Sequence, residues 1–195
     1  MKKVYLFIIM AFLCAEHSLA QKINLEKWVK HQRDSLIRNG IDTIIYYHHY
    51  CGECSVKVKG DDKPNCEVID NSWTLIESFL IYKQNGNAFA IKFNYCKPPI
   101  KTKLISCKST PYFLSIIPIL HKRDKVYAQM RKQVKFFPPI PTDGSYEEAT
   151  LYCHKSRSNV SLSEYQKNEG YKYWKSYFWI DEEIKLITLI EQDLK

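Results

Sequence analysis

The chain has 195 residues, with 29 Lys and Arg against 21 Asp and Glu; 45% of its residues are hydrophobic and 14% aromatic. That composition buries a sizeable core, and six Gly and eight Pro are too few for a low-complexity or collagen-like chain. Disorder is excluded, and no segment carries a catalytic or cofactor motif specific enough to name a reaction.

The first twenty residues divide into Met1-Lys2-Lys3, an apolar run from Val4 to Leu13, and a tail ending Ser18-Leu19-Ala20 before Gln21. Ser18 and Ala20 suit a cleavage site, and the apolar run is well short of the roughly 20 residues a spanning helix needs. Residues 1–20 therefore read as an export signal and residues 21–195 as a single domain, secreted or periplasmic. Cys14 does not read as a lipid anchor, because Leu13 precedes it where such a site needs a small residue. Removal of the signal takes two of the 29 basic residues, one of the 21 acidic residues and one of the seven cysteines. The remainder carries a net charge of about +7. Six cysteines stay: Cys51, Cys54, Cys66, Cys96, Cys107 and Cys153. An even set in a chain bound for an oxidising compartment makes disulfides the default, although sequence alone does not choose their pairing. No later stretch is long and apolar enough to span a bilayer; the nearest, Tyr112 to Leu120, is interrupted by Pro118.

From residue 23 to 39, Leu25, Trp28, Val29, Leu36 and Ile37 recur at helical spacing, and Gly40 follows where a left-handed terminator belongs. Thr43 to Tyr50 is β-branched and aromatic, which predicts a strand packed on both faces. Asn85-Gly86 supplies the backbone angles of a tight turn, so a hairpin is expected from about Glu77 to Tyr95. In its second arm Phe89, Ile91, Phe93 and Tyr95 face one way, and Ala90, Lys92 and Asn94 face the other. Ser72 to Leu80 also fits a short helix. The proline-bracketed, lysine-rich stretch from Pro98 to Pro111 reads as a surface connection. Thr110-Pro111 then opens a helix that Pro118 is expected to kink or split. Glu148 to His154 reads as a strand, and Lys155 to Gly170 as a polar stretch. Tyr171 to Ile180 and Ile184 to Ile190 read as a terminal hairpin, with a helix from Asp181 as the rival.

No repeat and no long linker divides the chain. The expected fold is α+β: one domain with the N-terminal helix packed on a mainly antiparallel sheet built from hairpins. A cystatin-like or nuclear-transport-factor-like (NTF2-like) cone satisfies that description, as a similarity of architecture that licenses no function.

Cys51-Gly52-Glu53-Cys54 is the one motif that invites a mechanism, since a C-x-x-C pair can exchange disulfides with a substrate. The residues after it, Ser55 to Lys59, alternate like a strand, whereas a redox pair needs a helix N-terminus. Structural disulfides are therefore preferred, and thiol-disulfide chemistry is kept as the alternative. His48, His49, Cys51 and Cys54 also form a metal-ligand set, but its spacing suits zinc poorly and adjacent strand histidines point to opposite faces. Ser55 in place of His excludes haem attachment, and no cofactor is expected. Lys122, Arg123, Lys125, Arg131, Lys132 and Lys135 make a basic cluster that reads as a solvated helix face. Its functional version is attraction to an anionic polymer, with nucleic acid disfavoured by export. On a strand, Tyr171, Tyr173, Tyr177 and Trp179 share a face that can stack on a ligand or grip a partner, although core packing is the simpler use. Asn159-Val160-Ser161 is a glycosylation sequon in the polar stretch. The whole predicts a non-catalytic binding or interaction module whose partner is another extracytoplasmic protein or an anionic polymer.

Overall fold

The computed structural model describes residues 25–52, 73–94, 97–132, 144–154 and 156–195. Leu25–Arg38 forms helix α1, whose buried Leu25, Val29 and Leu36 follow the predicted helical stripe. The turn after it places Gly40 at φ 81°, the left-handed value expected of a helix terminator. Strand β1, Thr43–Gly52, pairs antiparallel with β2, Trp73–Gln84, which leads through Asn85-Gly86 into β3, Asn87–Asn94. Asn85 and Gly86 have φ of 51° and 77°, so the tight turn fixes the register of the hairpin and makes Trp73 to Leu80 a strand rather than a helix.

The chain continues into β4, Lys97–Lys103, where a surface connection was expected. A strand with two prolines and three lysines is tolerated there because β4 is the sheet edge, where one row of backbone groups has no ladder to complete. Helix α2, Ser109–Lys132, is one element, and Pro118 does not split it. Pro118 is exposed, and the turn it disturbs contains the exposed Leu114, so water can satisfy the freed carbonyl. Strands β5, Ser145–Cys153, and β6, Ser156–Ser163, form a second hairpin. The supposed polar stretch thus holds an edge strand, pinned by the buried Val160 and Leu162.

The C-terminal hairpin does not form. In its place stand two one-turn helices, α3 (Glu164–Lys167) and α4 (Tyr171–Trp174), then α5, Ile180–Asp193. Asp181, Glu182 and Glu183 in the first turn of α5 favour a helix through the backbone dipole, and Ile180, Leu186, Ile187 and Ile190 are buried at helical spacing.

The sheet order is β4-β3-β2-β1-β5-β6, with every pairing antiparallel. Helix α1 covers one face, where Leu25, Val29 and Leu36 meet Ile44, Leu80, Tyr82, Ile91 and Phe93. Helices α2 and α5 pack on the other face with the buried Trp174 and Trp179, against Ile45, Ile81, Ala149, Leu151 and Leu162. The domain is α+β as expected, but both sheet faces are covered, whereas the β3 alternation suggested one core face. Ala88 and Ala90 belong to the second core.

Gly86 has open space where a side chain would go, so its replacement tests backbone conformation alone. Gly86→Ala is expected to cost about 1–2 kcal/mol, because an L-residue resists positive φ. Urea unfolding of both proteins measures it; an unchanged midpoint would show that the turn does not fix the hairpin.

Candidate ligand-binding cleft

On the face covered by α2 and α5, a cleft of about 350 Å³ lies beside the C-terminal end of α5. Adjacent strands supply its floor through Phe79, Ala90 and Thr102, and Leu104 and Leu194 add apolar wall. Asp193 holds the wall in place. Its carboxylate accepts from the backbone N–H of Lys108 at 3.0 Å and of Ser109 at 2.8 Å, and from the Ser106 hydroxyl at 3.2 Å. An anion is thus set at the N-terminus of α2, where the helix dipole favours it, and the last turn of α5 is tied to the first turn of α2.

The polar side chains of the cleft come in connected groups. The Tyr47 hydroxyl donates to Glu147 Oε1 at 2.7 Å, and the Lys167 ammonium donates to Glu147 Oε2. Lys167 also lies 3.9 Å from Glu191 Oε1. Burial raises the Tyr47 phenol, and the Glu147 charge raises it further. Burial also acts to raise Glu147, but the hydrogen bonds from Lys167 and Tyr47, with Glu191 beside it, outweigh burial and hold that carboxyl below its ordinary range. Glu191 moves the opposite way, raised by burial and by the neighbouring Glu147. The glutamates therefore divide their roles: Glu147 stays ionised in the interior, and Glu191 holds a proton more readily at the cleft. On the opposite side Lys92 Nζ donates to Glu77 Oε1 at 2.6 Å and lies 5.2 Å from the Phe79 ring centre.

The sequence reading selected none of these residues. Tyr47, Glu147, Lys167 and Glu191 are far apart along the chain and meet only through the β1–β5 pairing and the return of α5. The local signal was the pair Glu147-Glu148. On a strand these glutamates face opposite sides, and Glu148 serves the other face, where His48 Nε2 lies 2.8 Å from Glu148 Oε2. Hydrogen bonding to His48 holds the Glu148 carboxyl below its ordinary range against a smaller opposing effect of burial.

His48 and His49 are adjacent on β1 and so point to opposite faces, as strand geometry requires. His48 is buried between the rings of Tyr46 and Tyr50, with centroids 4.6 and 4.5 Å away. Cys51 lies at the end of β1, but its side chain, together with Cys54, Cys66 and Cys96, lies outside the described residues. Among the described residues no three His, Cys, Asp or Glu side chains converge as a metal site. A hollow of about 450 Å³ borders His48 beneath α1, but Val29 is the sole aliphatic residue among its described lining. It offers an apolar ligand less than the α5 cleft does. Ser78, His48 and Glu148 stand abreast on β2, β1 and β5. Ser78 is fully buried and makes no hydrogen bond to His48, so the row is a polar layer under α1 rather than an accessible nucleophile.

Cys107 and Cys153 both carry free thiols, so neither is joined to the other here. Cys107 Sγ contacts Thr110 Oγ1 at 3.1 Å before α2, and Cys153 Sγ lies 3.8 Å from Thr43 Oγ1. The basic cluster also divides. Lys122 packs over the Phe178 ring at 4.8 Å, Lys125 and Lys132 are exposed, and the side chains of Arg131 and Lys135 lie outside the described residues. Arg123 is buried, which withdraws it from any anion-binding surface. It donates to Glu183, to Asp124 Oδ1 at 2.8 and 3.0 Å and to the Asn159 carbonyl at 2.9 Å. The aromatic face expected of a C-terminal strand is dispersed over helical turns. Trp179 is buried, Tyr171 donates to Asp181 Oδ1 at 2.7 Å, Tyr177 is half-buried, and Tyr173 remains exposed. Asn159, the sequon residue, is exposed on edge strand β6.

Compared with known proteins, the chain matches no family model, no curated sequence and no solved structure.

Arg123 and Glu183 make the most deeply buried ion pair of the helical layer, at 7% and 3% side-chain exposure. Burial raises Glu183 to about 7 against the opposing pull of Arg123. A carboxyl whose folded pKa lies above its ordinary 4.5 binds its proton more tightly in the folded state. The stability it contributes is therefore lost as pH rises from about 4.5 to about 7. Arg123→Met strands the carboxylate and should cost about 3–5 kcal/mol at pH 8. The loss should be smaller at pH 5, where Glu183 takes up its proton. Urea unfolding at the two pH values checks this, and an equal loss at both would show that the guanidinium acts by packing alone.

Proposed function

We propose that the protein is an exported, disulfide-stabilised binding module that holds a small amphipathic ligand in the cleft beside α5 without transforming it. One observation carries the reading: an apolar floor meets polar groups already bonded to one another, Glu77 to Lys92 and Tyr47 to Glu147. Such groups orient a ligand at the rim while the floor buries its apolar part, as small-molecule sites commonly do. Export is supported by the N-terminal sequence, and a staple by the even number of cysteines in a chain bound for an oxidising compartment. The basic helix face is the weaker candidate for a partner surface, because Arg123 is buried.

Two measurements test the proposal. Thr102 is exposed on edge strand β4 and lines the cleft, so Thr102→Trp fills the site from a position with room to change. A panel of fatty amines, acids and alcohols screened by native mass spectrometry should give at least one bound species. Thr102→Trp should weaken it at least about tenfold, the equivalent of about 1.4 kcal/mol, with an unchanged unfolding midpoint. Unaltered binding by the variant would place the ligand elsewhere. Thiol trapping of the mature protein should label Cys107 and Cys153 before reduction and the other four cysteines only after it. A fast-reacting Cys51/Cys54 pair would instead favour the thiol-disulfide alternative.

A further inference from the structure

Two carboxylates, Glu147 and Glu191, share the single ammonium of Lys167, which donates to the first and stays 3.9 Å from the second. Tyr47 adds a neutral donor, and it too serves Glu147. Across the cleft Glu77 and Lys92 cancel each other at 2.6 Å. Glu191 is therefore the carboxylate least matched by a close cation, and it is half-exposed at the lining of the cleft. Lys195, exposed at the same mouth, attracts Glu191 electrostatically and is the cation a ligand must outcompete.

The cleft also shows how it accommodates an alkylammonium group. The Lys92 side chain carries its charge to Glu77 while its Nζ lies 5.2 Å from the centre of the Phe79 ring. A carboxylate on one side and an aromatic ring on the other is a favourable setting for an organic cation.

We propose that the ligand of this cleft is a primary amine with an apolar body, its ammonium bonded to Glu191 and its body seated on Phe79, Ala90 and Leu194. The proposal rests on the binding-module reading and specifies the ligand. An amphipathic anion fits less well, because a carboxylate would face Glu191 and Glu77 and would have to compete for lysines those residues engage. A neutral alcohol brings no positive charge to the two crowded carboxyls, Glu147 and Glu191, that share one ammonium.

The test is calorimetric titration of the mature protein with n-octylamine, n-octanoate and 1-octanol at neutral pH, repeated with Glu191→Gln and Thr102→Trp. Octylamine is expected to bind at least about tenfold more tightly than the other two, a margin typical of a hydrogen bond to a charged group. Glu191→Gln should remove that margin, whereas Thr102→Trp should weaken all three. Equal binding of the three ligands, or an amine preference that survives Glu191→Gln, overturns the amine assignment but leaves the cleft as a binding site. Binding of none, or binding indifferent to Thr102→Trp, overturns the cleft reading itself and the assignment with it. Thermal unfolding of each variant confirms that lost binding is not lost fold.

Discussion

Strand β1 is hydrogen-bonded on both sides, to β2 and to β5, so its side chains from Ile44 to His48 alternate between two covered surfaces. Ile44, Tyr46 and His48 look toward α1, and Ile45 and Tyr47 toward α2 and α5. A central strand of this kind cannot carry a polar side chain without finding it a partner, because water reaches neither face freely. Tyr47 and His48 are adjacent, so their partners must come from opposite faces of a neighbouring strand. Glu147 and Glu148 on β5 meet that demand, one on each side. The cleft begins with this arrangement: by engaging Tyr47, Glu147 brings a buried negative charge to the α5 face, and Lys167 and Glu191 arrange themselves around it.

Buried charge also locates the helical layer. Arg123 joins α2 to α5 through Glu183 and to β6 through the Asn159 carbonyl. Lys167 joins the turn after β6 to β5 through Glu147, and Asp193 joins the end of α5 to the start of α2. Ion pairs of this kind add little net stability compared with a well-packed apolar alternative, but breaking one partner is costly. Their effect is positional. Apolar packing alone would let α5 slide along Ile45, Ile81 and Leu151, whereas two polar ties, through Glu183 and Asp193, fix its rotation and height.

What was legible in the sequence was local. Asn85-Gly86 needs only its own backbone angles to announce a turn, and the stripe of Leu25, Val29 and Leu36 is complete within one helix. The terminal hairpin was preferred because Tyr171 to Ile180 has the aromatic content of a strand, while the rival helix from Asp181 forms, favoured by the acids at 181–183 and by the burial of Trp174 and Trp179. Strand β6 was missed because Val160 and Leu162 are its main inward-facing apolar residues, too few to establish an alternation. The cleft was illegible for a different reason: no periodicity links residues 47, 147, 167 and 191, and only the finished topology places them together. The basic cluster failed in reverse, since six cations near one another in sequence were read as one surface although Arg123 turns inward.

The end of α5 connects the two levels of this account. Ile180, Leu186, Ile187 and Ile190 bury one side of the helix over β1, β5 and β6, and the helix ends at Asp193, where its carboxylate is occupied by the backbone of α2. Its last turn is tied to the first turn of α2, beside the floor that β3 and β4 supply. Those strands present Ala90 and Thr102 on the same face, and Glu191, Leu194 and Lys195 line the cleft beside them. An open cleft with an apolar floor is the direct result of a sheet wider than the helices tied over it. Glu191 belongs to the tied turn, two residues before Asp193, so the contact that shapes the wall also fixes the position of the charge at its rim.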